Sequence, residues 1–430
     1  MQQTQTPYDF TTRPSKDALV QEFIGQSLDS LRTPAMIIDR KIFADNCAAM
    51  HAKAKEWGTG FRAHLKTHKT ADGTRLQMIS SADRTSAVVV STLMEAWEVF
   101  REGLFTDGTV KDLLYGLPIA PNKVADLSSL WDLVAEEGGT IRVLIDHPDQ
   151  IKFLEECESK REKPRKWSVF VKMDGGQKRA GVSVGASTFE TLIKALLTSP
   201  AISIYGFYAH AGNSYASTSL DQASSFLSSE VQCVNQGAES AIKIASSMGV
   251  ETTSQMFVLS VGSTPTAHAA SAEAREKLTS SLHGSLELHA GNYPMLDLQQ
   301  LSTNLIDRSK VAQRVRVTVA SYYPSRGAKG TDEALVDGGA LAFSKDTGPS
   351  QTFGEVIGTD WKLGRISQEH GTLTRTTPAG NEELKVGDKV DIIGQHACLI
   401  AAAYPWFYVV DSDVKQGKEV VDIWVPWKGW

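Results

Sequence analysis

The chain has 430 residues, 41% of them hydrophobic and 22% charged, with a formal net charge of −6 and a pI near 6.0. That length exceeds one average domain and suits two, and the mildly acidic balance leaves no electrostatic footprint for nucleic acid or an anionic membrane. The four scattered cysteines form no C-x-x-C pair, the N-terminus has no apolar signal core, and no run approaches the ~18 apolar residues of a membrane span, so a cytoplasmic protein is expected.

In chain order, strand-like runs rich in Val, Ile and aromatics occur at 35–38, 61–65, 85–90, 113–115, 141–145, 168–173, 202–209, 257–261 and 286–289. Helix-like segments between them include 40–56, 93–101, 122–136, 189–197 and 220–247. This alternation predicts a parallel sheet with helices outside it. Nine runs are one too many for a closed (β/α)8 barrel. If 35–38 belongs elsewhere, the barrel starts at Phe61 and closes at His289. After about residue 301 helical periodicity fades. The runs 310–323, 334–343, 355–357, 371–376, 389–393, 399–403 and 407–410 then read as strands of a mostly β domain.

Five clusters could carry chemistry. The first is RAHLKTHKT, Arg62 to Thr70, where strand alternation would place His64, Lys66 and His68 on one face. A lysine at the C-terminal mouth of a barrel strand is a Schiff-base candidate, although spacing alone favours a solvated basic loop. In VFVKMDGGQKRAGV, Arg179 follows a strand and a glycine turn and could aim its guanidinium at an acidic oxygen. In IYGFYAHAGNSY, Tyr208, His210 and Tyr215 sit at another strand end, as ring or phosphate contacts or as ordinary rim residues. In VLSVGSTPT, Gly262, Ser263 and Thr264 could form a nest for a phosphate dianion, or simply a turn. In GQHACLIAAAY, His396 and Cys398 are two apart in a strand-like run, which points both to one face. Imidazole plus thiolate at that spacing suits Zn²⁺, and a core Cys beside a buried His is the alternative.

Together these stretches resemble fold-type III pyridoxal-phosphate enzymes, the class of alanine racemase, and more narrowly the eukaryotic D-serine dehydratases and related D-threonine aldolases. HLKTHKT resembles the cofactor-lysine motif and implies that role for Lys66. KMDGGQKRAGV implies Arg179 at the pyridine hydroxyl, and YAHAGNSY implies Tyr208 and Tyr215, with His210 between them, as cofactor contacts. GSTPT resembles the phosphate loop, and ELHAGNYPMLD and DGGALAFSKD resemble further family segments. His396-Ala397-Cys398 is similar to the His-x-Cys of the dehydratases rather than the His-x-Asp of the aldolases. The chain departs from the pattern at Leu399-Ile400, where Pro-Thr is expected, a change that bears on the pocket wall.

The resemblance implies an N-terminal arm over 1–32 packing on the β-domain, a barrel domain over 33–300, and a metal-bearing β-domain over 301–430. It also places the first β segment in the β-domain and implies a homodimer. The implied cofactors are pyridoxal 5′-phosphate and Zn²⁺. The implied activity is D-serine to pyruvate and ammonia, with Lys66 as the base that removes the Cα proton. A metal-dependent aldolase of D-threonine-like substrates is the alternative, followed by a racemase and by a non-enzymatic cofactor carrier.

Overall fold

Apolar runs that are shielded on both faces become parallel strands, and their β-branched residues suit the pleat. In the computed structural model, which describes residues 12–250, 257–276, 278, 281–375 and 383–430, the first such run is β1 (Ala35–Asp39). The next eight are β2 (Gly60–His64), β3 (Ala87–Val90), β4 (Asp112–Pro118), β5 (Thr140–Ile145), β6 (Trp167–Lys172), β7 (Ile202–Tyr208), β8 (Val258–Val261) and β9 (Ser285–Ala290). These eight close a parallel barrel, with Phe61 of β2 opposite Leu288 of β9. The expected α/β barrel is thus present, with β1 outside it.

The remaining strands are β10 (Gln313–Tyr323), β11 (Glu333–Val336), β12 (Gly354–Val356), β13 (Lys362–Ile366), β14 (Gly371–Thr374), β15 (Lys389–Gly394), β16 (Phe407–Val410) and β17 (Asp422–Trp424). They build one sheet in the order β11-β14-β13-β12-β15-β10-β1-β16-β17. β1 lies between β10 and β16, antiparallel to the first and parallel to the second. The helix Lys16–Phe23 brings Leu19, Val20 and Phe23 onto this sheet, and Phe23 meets Tyr408 edge-on at 5.1 Å. Residues 1–11 of the expected arm, and residue 376 of the expected strand 371–376, lie outside the described residues.

Two expected strands are corrected. The run 334–343 stops at Val336 because Gly338 and Gly339 interrupt it, and Ala340–Phe343 is a helical turn. The run 399–403 is a helix, Ala397–Ala403. Its sequence ACLIAAA contains four alanines, the residue with the highest helix propensity. Strands β13 and β17 carry too short a pattern to be identified from sequence.

The lower barrel interior is ionic. Arg62, fully buried, donates to Glu287 at 2.8 and 3.1 Å and to Asp112 at 2.7 Å, and Arg142 donates to Asp112 at 2.8 Å. Above this layer the strand ends carry the chemistry-bearing side chains, as expected for the C-terminal mouth of such a barrel.

Candidate active site

The turn after β2 is short. The Leu65 N–H still pairs with the Val89 carbonyl at 3.0 Å, and the Lys69 N–H then closes onto the Leu65 carbonyl at 3.0 Å. Strand alternation therefore ends at Leu65, and the expectation that His64, Lys66 and His68 share a face is corrected. His68 turns away into the packing beneath the next helix, where its Nε2 meets Gln77 Oε1 at 2.7 Å and its Nδ1 accepts the Thr70 N–H at 3.1 Å. His64 stays at the mouth, its Nδ1 accepting the Lys66 N–H at 3.3 Å. Lys66 runs beside Gly291, where a Cβ would lie 3.5 Å from Lys66 Cε and 3.2 Å from His64 Cβ. A side chain at 291 would thus crowd the lysine.

Around Lys66 stand the ends of β6, β7 and β8. Tyr208 is buried and stacks on His289 with ring centroids 4.1 Å apart and an interplanar angle of 8°. His210 Nδ1 meets the Gly262 carbonyl at 2.7 Å. Burial, followed by the nearby charges of Lys66, Arg179 and Lys172, pushes His210 down to about 3, so it is neutral at physiological pH. Arg179 itself is exposed, in the loop after β6. Burial and Arg179 also push Lys172 down to about 8.

The turn after β8 is pinned by hydrogen bonds. Ser263 Oγ lies 2.7 Å from Ser214 Oγ, and the Ser263 N–H donates to Thr266 Oγ1 at 2.9 Å. Thr264 Oγ1 accepts the Asn292 N–H at 3.1 Å. Burial pushes the hydroxyl of Tyr215, which lies near Thr264, well up. Gly262, Ser263 and Thr264 are thus pinned by His210, Ser214, Thr266 and Asn292.

His396 and Cys398 come from the sheet domain. His396 is the extended residue preceding the helix Ala397–Ala403 and Cys398 is in its first turn, so their proximity comes from a helix start and not from the expected strand. Asp297 fixes this start by accepting the Ala397 N–H at 2.8 Å. His396 Nδ1 meets Asp346 Oδ2 at 2.9 Å, and Cys398 Sγ lies 3.2 Å from Thr67 Oγ1, one residue from Lys66. Burial disfavours charge on both side chains. Their mutual hydrogen bond nevertheless pulls the Cys398 thiol below its usual range and, with Asp346 assisting, lifts His396 to about 9. Among the described residues no group of three His, Cys, Asp or Glu is placed to hold a metal ion, so the pair would need ligands from outside that set. Leu399, at the expected Pro-Thr, is 47% exposed, and Ile400 is buried with its Cδ1 toward Gly394.

Sequence reading missed Lys172, Glu230 and His289. Glu230 lies in the middle of the helix Leu220–Ser247, where nothing in the pattern separates it from a surface acid. His289 Nε2 and Glu230 Oε2 are buried without partners, which is unusual for buried polar atoms. No helix among the described residues is long and apolar enough to cross a membrane.

Residues 38–280 match the family described as "Alanine racemase, N-terminal domain" and residues 312–410 match "Putative serine dehydratase domain". The chain is similar to the D-serine dehydratase of Schizosaccharomyces pombe, 41% identical over 98% of this chain and 97% of that one. It is also similar to the D-serine dehydratase of Saccharomyces cerevisiae, 34% identical over 96% and 99%. Among solved structures, a mutant D-threo-3-hydroxyaspartate dehydratase in its metal-free form superposes with a TM-score of 0.78 at 25% identity, covering 94% of this chain and 100% of the other.

Proposed function

Because the chain belongs to the D-serine dehydratase family of alanine-racemase-like, pyridoxal-phosphate-dependent lyases, we propose that it converts D-serine to pyruvate and ammonia with zinc as a second cofactor. The observation that carries this reading is the approach of Cys398 to Thr67 at 3.2 Å, which sets the His396–Cys398 pair beside Lys66.

The residues fit both groups. Lys66, Lys172 and Arg179 together act on His210 with little opposing negative charge, an environment suited to an anionic cofactor. Tyr208, His289 and His210 offer a flat, neutral floor for an aromatic ring. For zinc, thiolate and imidazole are suitable donors, and a carboxylate on the second ring nitrogen, here Asp346, orients a ligating histidine. Pyridoxal phosphate supplies the electron sink that makes the Cα proton removable. Zinc supplies Lewis acidity toward the departing β-hydroxyl.

The chain's own residues do the rest. Lys66 Nζ would hold the cofactor and would accept the Cα proton from the one face it commands, which selects the D configuration. Gly262, Ser263, Thr264 and Tyr215 would hold the phosphate end, and Arg179 would serve the pyridine hydroxyl. His210 and His64, kept neutral by burial, add no positive charge beside Lys66. The proton and β-hydroxyl leave together as water, and the released enamine takes up water to give pyruvate and ammonia. A homodimer acting in the cytoplasm, with the barrel over about 33–300 and the metal-bearing domain over 301–430, completes the proposal.

The test is a panel of D- and L-amino acids with keto acids, aldehydes and glycine measured together. Pyruvate and ammonia from D-serine alone support the reading. Glycine plus an aldehyde from D-threonine, with little pyruvate from D-serine, overturns it in favour of an aldolase.

A further inference from the structure

Glu230 has no part in the chemistry above, yet its position is unusual for an acid. It projects from the middle of the long helix Leu220–Ser247 into the packing behind the barrel mouth, and it is 2% exposed. One oxygen, Oε1, accepts two backbone N–H groups, from Ala211 at 2.5 Å and from Gly262 at 3.3 Å. The other oxygen, Oε2, is buried with no partner.

Ala211 belongs to the segment after β7 that presents His210 and Tyr215. Gly262 begins the turn after β8 that presents Ser263 and Thr264. A single side chain thus spans the two segments of the expected phosphate cradle from behind. We propose that Glu230 is the positioning residue of that cradle, holding both segments in register, and that it does so as the neutral acid when a phosphate dianion is bound in front of it.

The inference rests on the reading that Gly262, Ser263 and Thr264 hold the cofactor phosphate. A buried carboxylate close behind a dianion would repel it, whereas a carboxylic acid accepts the same two N–H groups through its carbonyl oxygen and adds no charge. The charged and titratable groups facing Glu230 are Lys172 on β6, Tyr208 on β7 and Cys233 on its own helix. Of these only Lys172 favours the ionised acid, and burial outweighs it, lifting Glu230 to about 7. Glu230 is therefore poised to take up a proton when an anion arrives.

The experiment uses the full chain stripped of cofactor. Two probes that cannot bond to Lys66 are titrated from pH 6.5 to 8.5: pyridoxine 5′-phosphate, and pyridoxine, which lacks the phosphate. The wild-type preference for the phosphorylated probe should fall about tenfold across this range, the effect of coupling to roughly one pKa unit. Glu230→Gln, which keeps an acceptor oxygen and cannot ionise, should hold that preference constant within about twofold. Parallel profiles for wild type and Glu230→Gln would overturn the proposal.

The underlying reading fails separately, if the wild type shows no preference for the phosphorylated probe or if Ser263→Ala leaves that preference unchanged. Should Glu230→Gln not fold, calorimetry on the wild type at pH 8 in two buffers of different ionisation enthalpy still decides. Uptake of about 0.4 proton on binding pyridoxine 5′-phosphate, the difference at pH 8 between a group at about 7 and one raised by roughly one unit, and none on binding pyridoxine, is expected. No uptake with either probe refutes the proposal.

Discussion

Gly262→Ala tests the cradle most directly, because backbone atoms, not a movable side chain, surround the missing methyl group. Gly262 has φ of +145°, a region that L side chains rarely adopt. A Cβ there would lie 2.0 Å from the His289 carbonyl oxygen and 2.9 Å from the His289 nitrogen. Ordinary contact begins near 3.4 Å, so β8 and β9 would have to part by about 1.4 Å (3.4 less 2.0) at their paired ends, or the turn would have to change shape. The conformational strain is about 1–3 kcal/mol and overpacking adds a similar amount, for a loss on the order of 2–6 kcal/mol. The displacement also propagates, since the Gly262 N–H is held by Glu230 and its carbonyl by His210.

Urea unfolding of the cofactor-free chain should therefore show a loss in this range, and retention of pyridoxal phosphate should weaken by ~100-fold, the equivalent of about 2.7 kcal/mol. Gly60→Ala is the control, because nothing lies within 4 Å of its added Cβ. A Gly262→Ala protein with unfolding and cofactor retention like those of the control would refute the argument.

Lys66→Ala should abolish both the yellow covalent adduct and turnover, and borohydride reduction with peptide mapping should label Lys66; a label on Lys69 would refute that assignment. His396→Ala or Cys398→Ala should remove bound zinc, measured by elemental analysis, and abolish pyruvate formation from D-serine while the yellow cofactor stays; retained zinc and activity would count against the pair. Arg62→Ala leaves Asp112 and Glu287 without their shared cation inside the barrel, and unfolding should show a loss of about 3–5 kcal/mol with little change in the KM of any surviving activity. His68 is held neutral by burial, at about 4 against an ordinary 6.5, so between these values the unfolded chain binds the proton more tightly than the fold. The stability His68 contributes is therefore complete above pH 6.5 and is lost as pH falls toward 4, by at most ~1.4 kcal/mol per pH unit. His68→Gln should flatten the unfolding midpoint measured between pH 7 and 5, and an unchanged slope would contradict this.

Sequence reading succeeded where local pattern and burial agree. The barrel strands are short, apolar and spaced by amphipathic helices, and each signal is contained within a dozen residues or so. That is why the runs 61–65 through 286–289 fall on β2 to β9 and the segments 40–56, 93–101 and 220–247 coincide with helices. It failed where a short run could adopt either structure. ACLIAAA is apolar enough for a strand, but alanine favours helix, and the Ala397 N–H bonded to Asp297, a hundred residues away, fixes the helix start. Likewise alternation from His64 to His68 was a fair extrapolation of β2, but the turn closing at Lys69 ended it.

Periodicity, a local property, by itself determined a parallel α/β array followed by a mostly β region; the eight-stranded closure and the choice of Lys66, His396 and Cys398 over their bland readings rested on motifs that resemble a known family. Tertiary structure alone decided that Cys398 lies beside Thr67, 331 positions away in the chain, that Tyr208 stacks on His289, and that Glu230 joins the segments at Ala211 and Gly262. Such pairings depend on how eight strands close and on where a separate sheet meets their mouth. Burial then sets the charge of each group, which is why Glu230 looks like a surface acid in the sequence and has its pKa lifted to about 7 in the fold.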